Sequence, residues 1–482
     1  MGSFDMAQLS TDYLVVGTGA SAMAFVDTLV AHTDAEVVLV DRRHAPGGHW
    51  VDAYPFVRLH QPSAYYGVPS LPLGEDRIDT EGVNAGFYER ATAAELQHYY
   101  EQALGQLVAT GRVRFLGSTE YLGTEAGAHV VESRLTGGRQ EIAVRRRLVD
   151  ATYIQSDIPA THVPPFAVAD DATLVTPNAL VDLGGTPAGF TLVGGGKTAM
   201  DVAFWLLEQG VDPDRIRWIR PRDSWYLDRT FTQPLEQAGS LIEYQSRFVE
   251  ACAHAPSGPD FARRLEEHGM MCRIDETIDP EINRGATVAR VELEAVRDIE
   301  RVVRLGWVDA IGETAIELAG GSVPTTPDEV HVDCTAQGLA TAPMIPIYDG
   351  DRVTVQFTTL GVAPWSAAIL GFVEALDVDD DERNRLCRPV PRTGLIIDQL
   401  WVNALGFQAE APRREHPEVS AWGQTCRLNP GRSMAEQFGN PDLQPAFERL
   451  MVNLEPAMSN LADHSSRVSS PPPTSTTTGG RH

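Results

Sequence analysis

Two short glycine clusters carry the plainest chemistry in the chain. Gly17-Thr18-Gly19-Ala20-Ser21-Ala22 is a G-x-G-x-x-A element, and Gly194-Gly195-Gly196-Lys197-Thr198-Ala199 repeats its logic. In such an element the first glycine lets the chain turn off a strand. The second lets backbone approach a pyrophosphate, and a small third residue lets helix and strand pack closely. The helix that begins there offers free N–H groups and a positive dipole end to phosphates. The chemistry is dinucleotide binding at two sites: Gly17, Gly19, Ala20, Ser21 and Ala22 form the first, and Gly194, Gly196, Lys197, Thr198 and Ala199 the second.

The residues that follow each cluster separate the two sites. Asp41, with Arg42 beside it, ends the next apolar run after Gly17. A carboxylate there accepts from ribose hydroxyls and repels a 2′-phosphate, which suits FAD or NAD. Downstream, Pro46-Gly47-Gly48-His49-Trp50 gives backbone a second close approach, with Gly48, His49 and Trp50 as contacts. After the second cluster the run ends in Arg220 and Arg222, not in an acid. Guanidinium forks pair with phosphate, so this site leans to NADPH, with NADH left open. Lys197 adds a cation, and Asp201 lies early in the helix, where negative charge is favourable.

These motifs need elements to hold them. An apolar run at 12–16, a helical stretch at 20–32 and a run at 36–40 make a βαβ unit. A helix over 91–111 follows, then strands at 113–116, 129–135 and 148–151. Residues 156–188, rich in Pro, Asp, Ala and Thr, read as a connection. The unit then recurs as strand 190–193, helix 199–208 and strand 216–219. The pattern over 233–300 is mostly helical, 329–333 returns to a strand, and 380–465 is helical. The expected fold class is α/β: two Rossmann-like three-layer domains with an added helical C-terminal region. The first would comprise 10–185 and 325–400 and the second 186–324, with helices at 401–464 and a disordered low-complexity tail at 465–482.

Bulk properties exclude several classes. The 482 residues exceed one core and suit two or three domains. A net charge of −27 opposes nucleic acid and anionic membranes. Five widely spaced cysteines, with no C-x-x-C, argue against a disulfide framework, a redox disulfide and a metal site. No basic-then-apolar leader or long apolar stretch is seen, so the expectation is a cytoplasmic protein off the membrane.

The order of Gly17–Ala22, Gly47-Gly48-His49-Trp50, Gly194–Ala199 and two closing segments resembles the two-dinucleotide-domain flavoproteins. It is closest to flavin-containing, Baeyer–Villiger and N-hydroxylating monooxygenases. The closing segments are Val149-Asp150-Ala151-Thr152-Tyr153 and Val332-Asp333-Cys334-Thr335-Ala336-Gln337-Gly338. The chain is also similar to actinobacterial NAD(P)-binding flavoproteins through Gly194–Asp201 and Arg220–Arg229.

The resemblance implies bound FAD and NADPH, with Ala151, Thr335 and Ala336 at the cofactors. It places Arg58, His60 and Gln61 beside the flavin as catalytic candidates, with Arg229 a further cation. The partners would be a small organic substrate and O2, with homodimerisation left open. One oxygen atom would be inserted through a flavin C4a-peroxide. One departure favours an alternative: Phe166–Asn178 lacks the F-x-G-x-x-x-H segment of the monooxygenases. A reductase, oxidase or dehydrogenase passing hydride without oxygen insertion therefore stays open, as does a non-catalytic nucleotide-binding protein.

Overall fold

The computed structural model describes residues 9–125 and 127–467. It opens on β1 (Leu9–Val16), α1 (Ala20–His32) and β2 (Val37–Val40). Strands β1 and β2 pair in parallel with Tyr13 opposite Val37 and Val16 opposite Val40. All four β2 residues, Val-Val-Leu-Val, are buried, as expected of a parallel strand covered on both faces. Helix α2 (Ala93–Ala109) starts at a capping box in which Thr92 and Glu95 satisfy each other's backbone N–H. It leads to β3 (Val113–Leu116), the antiparallel strands β4 (Thr119–Glu125) and β5 (Ala128–Ser133), and β6 (Arg139–Asp150).

The stretch 156–188 contains sheet as well as connection. It carries β7 (Ser156–Asp157), β8 (Ala167–Val168) and β9 (Thr173–Val175). Strand β9 forms the edge of the second sheet, a role three residues are too short to announce by periodicity.

The second unit is β10 (Gly189–Val193), α3 (Lys197–Glu208) and β11 (Ile216–Ile219). An insertion follows: β12 (Ser224–Asp228), α4 (Ala238–His254), α5 (Gly258–Glu267), β13 (Met271–Cys272), β14 (Ile282–Val288) and α6 (Arg290–Arg297). Its three strands make their own sheet, ordered β13-β12-β14, so the helical expectation for 233–300 holds for only part of it. Next come β15 (Val302–Val303), β16 (Val308–Ile311), β17 (Ala315–Leu318), β18 (Gly321–Pro324) and β19 (Glu329–Asp333). The second sheet runs β15-β11-β10-β19-β9, all parallel.

The chain then returns to the first sheet through β20 (Gly338–Leu339), β21 (Tyr348–Asp349) and β22 (Arg352–Thr354). That sheet is ordered β21-β22-β6-β1-β2-β3. Helix α7 (Ala363–Glu374) packs on α1 and completes the first core. Helices α8 (Asp380–Leu386), α9 (Gln399–Glu415), α10 (Pro417–Thr425), α11 (Pro430–Ala435) and α12 (Gln444–Arg467) follow. The helical C-terminal region packs chiefly through α12 on α4 of the insertion. The rest of the expected tail, 468–482, lies outside the described residues.

Candidate functional site

The two glycine turns are built alike. The Gly17 amide donates to the Val40 carbonyl at 2.8 Å, and the Gly194 amide to the Ile219 carbonyl at 3.0 Å. The Ala151 amide donates to Val16 and the Cys334 amide to Val193, each at 3.0 Å. Each closing segment ends in the same small latch. Thr152 bonds the Asp150 carboxylate through its amide and hydroxyl, at 2.9 and 2.7 Å. Thr335 does so to Asp333, at 3.0 and 2.6 Å. Both turns thus lie at the carboxyl ends of parallel strands, where open α/β sheets bind nucleotides.

The first turn leaves the first amides of helix α1 without intrahelical partners. Helix α1 begins after Gly19, and its first internal bond joins the Met23 amide to the Gly19 carbonyl. The amides of Ala20, Ser21 and Ala22 therefore precede any intrahelical partner. Gly48, at φ +61°, comes so close to Gly19 that a Cβ on it would stand 2.7 Å from the Gly19 Cα. Trp50 is anchored by its indole N–H to the Tyr66 hydroxyl at 2.8 Å. Asp41 is buried, and its carboxylate accepts from the Thr18 amide and hydroxyl at 2.7 and 2.8 Å and from the Arg43 amide at 2.8 Å. The acid thus shapes the glycine turn, and a ribose would share its oxygens. Arg42 points to solvent.

The second turn divides its two arginines. Arg220 is 2% exposed, lies over the Trp218 ring at 5.1 Å and faces Asp223 at 3.4 Å. Trp218 itself donates to the Gly194 carbonyl at 2.8 Å. Arg220 therefore supports the turn from inside. Arg222 is half-buried over Trp307 at 5.1 Å and is the more exposed arginine of the pair. The amides of Lys197, Thr198 and Ala199 open helix α3 as those of Ala20–Ala22 open α1.

Between the turns, the loop carrying Arg58, His60 and Gln61 meets the second unit. The Tyr54 hydroxyl donates to Asp201 at 2.9 Å, and Asp201 also pairs with Lys197. Thr287 of β14 donates to the His60 carbonyl. Behind them lies a buried charge cluster. Arg229, fully buried, pairs with Glu292 at 2.6 Å, and Arg90 faces the same carboxylate at 3.8 Å. Burial raises the pKa of Glu292, yet Lys197, Arg229 and Arg90 together pull it down to about 2. A cavity of about 280 Å³ opens beside this cluster, walled by Phe56, Arg58, Arg90, Phe204, Trp205 and Glu292. Phe56 stacks on Trp205 across the two units at 4.7 Å. Arg58 is exposed at its rim, and Gln61 is half-buried.

His60 is half-buried, and burial, then the Lys197 cation, lowers its pKa to about 4. Burial followed by Arg43 does the same to His49, also to about 4. Both rings are neutral at pH 7. Unfolded histidine titrates near 6.5, so the unfolded chain binds the extra protons between pH 6.5 and 4 and stability falls as pH drops through that window. We expect on the order of 2 kcal/mol lost per histidine by pH 4. Chemical denaturation of wild type and His60→Gln at pH 7 and pH 4.5 checks this. An identical pH dependence in the variant would refute the assignment to His60.

Sequence reasoning missed the tie between the segments around β7 and β20. His162, which lies upstream of 166–178, stands 2.9 Å from the Asp157 carboxylate and 3.0 Å from the Thr335 hydroxyl. The Gln337 amide donates to Asp157 at 2.9 Å, and β7 pairs antiparallel with β20. The two interdomain strands are thus tied to each other. No spacing announced His162, whereas the repeated Asp-x-Thr was legible in both closing segments. Arg90 and Glu292 carried no motif, and Tyr54, which stands in the Tyr-Pro that follows the Gly-Gly-x-Trp loop, gave no sign of its bond to Asp201.

All five cysteines are unpaired and buried. Among the described residues no helix is long and apolar enough to cross a membrane.

No family model matches the chain. Among solved structures, the polycyclic ketone monooxygenase from the thermophilic fungus Thermothelomyces thermophila aligns with a TM-score of 0.54 at 12% identity, covering 95% of this chain and 89% of that one. An oxidised steroid monooxygenase bound to NADP gives 0.50 at 14% identity, covering 94% and 98%. The fold is similar to that of these two-domain flavin monooxygenases, and a helical C-terminal region is present. In sequence, the chain is 42% identical over 425 residues to the "Uncharacterized protein Rv2000" of Mycobacterium tuberculosis and to the "Uncharacterized protein Mb2023" of Mycobacterium bovis, covering 87% of this chain and 78% of each relative. The chain belongs to the same family as these mycobacterial proteins.

Proposed function

We propose that the chain is an FAD-dependent, NAD(P)H-using oxidoreductase of the monooxygenase kind, acting in the cytoplasm on a small organic substrate with O2. The observation that carries this is the pair of identically latched glycine turns, with Tyr54 from the first unit bonded to Asp201 in the helix that the second turn opens. The shared fold of the ketone and steroid monooxygenases supports the same reading. In this reading Gly17, Gly19, Ala20–Ala22, Asp41, Gly48–Trp50 and Ala151 hold FAD. Gly194, Gly196–Ala199, Arg222, Thr335 and Ala336 hold the nicotinamide dinucleotide, and Arg220 supports them from the core.

When bound, the flavin would supply the electron transfer from nicotinamide to oxygen. The chain supplies binding, position and water exclusion. Neutral His60 can donate or accept one hydrogen bond at the junction without bringing a charge. Lys197 is held in place by Asp201, itself held by Tyr54. Phe56, Phe204 and Trp205 wall the cavity where a substrate would lie.

The test is to purify the protein with its flavin, reduce it anaerobically with NADPH and admit air. Slow reoxidation through a long-lived absorbance distinct from oxidised and reduced flavin supports oxygen insertion. Immediate reoxidation with stoichiometric hydrogen peroxide moves the assignment to the hydride-transfer alternative, which the departure at Phe166–Asn178 favours. A chain that binds neither nucleotide refutes both. At the second site, Arg222→Gln should weaken NADPH about tenfold while leaving NADH within about twofold, as expected for one lost phosphate fork. Equal losses for both cofactors would remove Arg222 from 2′-phosphate recognition.

A further inference from the structure

Two arginines outside every motif lie on segments that pack together, Arg284 on β14 and Arg392 on the loop bonded to it through Gly394. Arg392 lies over the Phe357 ring, with its guanidinium carbon 5.3 Å from the ring centre. Its Nε is buried with no hydrogen-bond partner. The loop that carries it packs on β14, where the Asn283 amide donates to the Gly394 carbonyl at 2.9 Å and Ile282 bridges to Leu395. The next residue of β14 is Arg284. It donates to the Gln337 carbonyl at 2.6 Å and to the Gln337 amide oxygen at 3.1 Å. Gln337 follows directly on Thr335 and Ala336 of the second closing segment.

Among the described residues, no carboxylate forms an ion pair with Arg284 or Arg392, although the chain carries a net charge of −27. Their charged neighbours are cations. Burial and then Arg222 lower the pKa of Arg284, and burial and then Arg284 lower that of Arg392. Arg392 is half-buried beside the exposed Arg284, and holding like charges close with one of them partly out of water costs energy unless an anion compensates. The Gln337 oxygens satisfy two of Arg284's donors but neutralise neither guanidinium. Arg392 has its flat face covered by Phe357, which leaves the fork edge for planar oxyanion recognition.

We propose that Arg284 and Arg392 form an oxyanion-binding subsite between the interdomain strands and the 390–395 loop, taking a phosphate or a carboxylate. The proposal deepens the nucleotide-binding function above only in what would deliver the oxyanion: a phosphate of the nicotinamide dinucleotide, or an acidic substrate.

The test is calorimetric titration of the flavin-loaded full chain with inorganic pyrophosphate and, separately, benzoate. At least one anion should bind wild type. Its Kd should rise about tenfold in Arg392→Gln and further in Arg284→Gln/Arg392→Gln, the scale of a lost charge-assisted fork. Arg414→Gln, at an exposed pair with Glu410, removes the same unit of charge elsewhere and should leave binding unchanged. If Arg392→Gln does not fold, Arg284→Gln at an exposed position carries the same comparison. Pyrophosphate that competes with NADPH assigns the subsite to the dinucleotide. Benzoate binding that leaves NADPH affinity unchanged assigns it to an acidic substrate. Failure of both anions to bind, or equal affinity in wild type and variants, overturns the subsite. Failure of NADPH to bind wild type refutes the second nucleotide site instead and leaves the anion comparison intact.

Discussion

Gly48→Ala should give a folded protein that retains less than about a tenth of its flavin. Two costs combine at this position. Gly48 sits at φ +61°, where an L side chain costs roughly 1 kcal/mol. An added Cβ would also stand 2.7 Å from the Gly19 Cα, a backbone atom that cannot rotate away. Relief requires the two glycine loops to part, which moves the Gly19 turn away from the phosphates it would bind. We expect a rise in the FAD Kd of about 10- to 100-fold, equivalent to about 1.4–2.7 kcal/mol. Gly82→Ala is the matched control, because Gly82 has φ +72° with nothing within 4 Å of its added Cβ. It bears the conformational cost without the collision. Flavin content after gel filtration checks both variants. Equal retention in the two would show that the approach of Gly48 to Gly19 does not govern cofactor binding.

Arg229→Met should destabilise the fold by about 3–5 kcal/mol, the range for removing one partner of a buried ion pair. Arg229 is fully buried, and its pairing at 2.6 Å is the shortest that Glu292 makes with a cation. The Glu292 carboxylate also caps α6 by accepting from the Ala289 amide at 2.7 Å. Methionine keeps most of the volume but leaves the carboxylate with Arg90 at 3.8 Å and the more distant Lys197. The double variant Arg229→Met/Glu292→Gln should recover at least half of the loss, because a neutral amide can still cap the helix and no longer needs a counter-charge. The wild-type pair has a pH signature. The pKa of Glu292 is depressed, so its stabilisation is complete above the unfolded value near 4.5 and disappears as pH falls through about 2. Urea denaturation of the three proteins at pH 7 checks the order. A loss below about 1 kcal/mol in the single variant would mean that the cluster is not held by charge.

The nucleotide-binding framework was legible because it depends on local rules. A buried parallel strand, a glycine turn and a helix N-terminus occupy adjacent positions, and their side-chain demands are met within about 30 residues. Strands β11 and β19 occupy the bounds expected for them, 216–219 and 329–333. The junction was legible only in part. His60 stood out through its place after the Gly-Gly-x-Trp loop, but the charges that act on it come from distant segments: Arg90 before α2, Lys197 and Asp201 in α3, and Arg229 after β12.

By itself, the sequence determined the α/β class, the two glycine turns and the acid that follows the first of them. Tertiary structure decided what the charged residues do. It turned Asp41 inward to shape the loop at Thr18, and it buried Arg220 against Trp218 while leaving Arg222 accessible. It also tied His162 to Asp157 and Thr335, and packed the loop that carries Arg392 on the strand that carries Arg284, more than a hundred residues away. The reason is physical. Backbone turns and apolar periodicity are set by near neighbours, whereas burial and charge pairing depend on which surfaces the completed fold presses together.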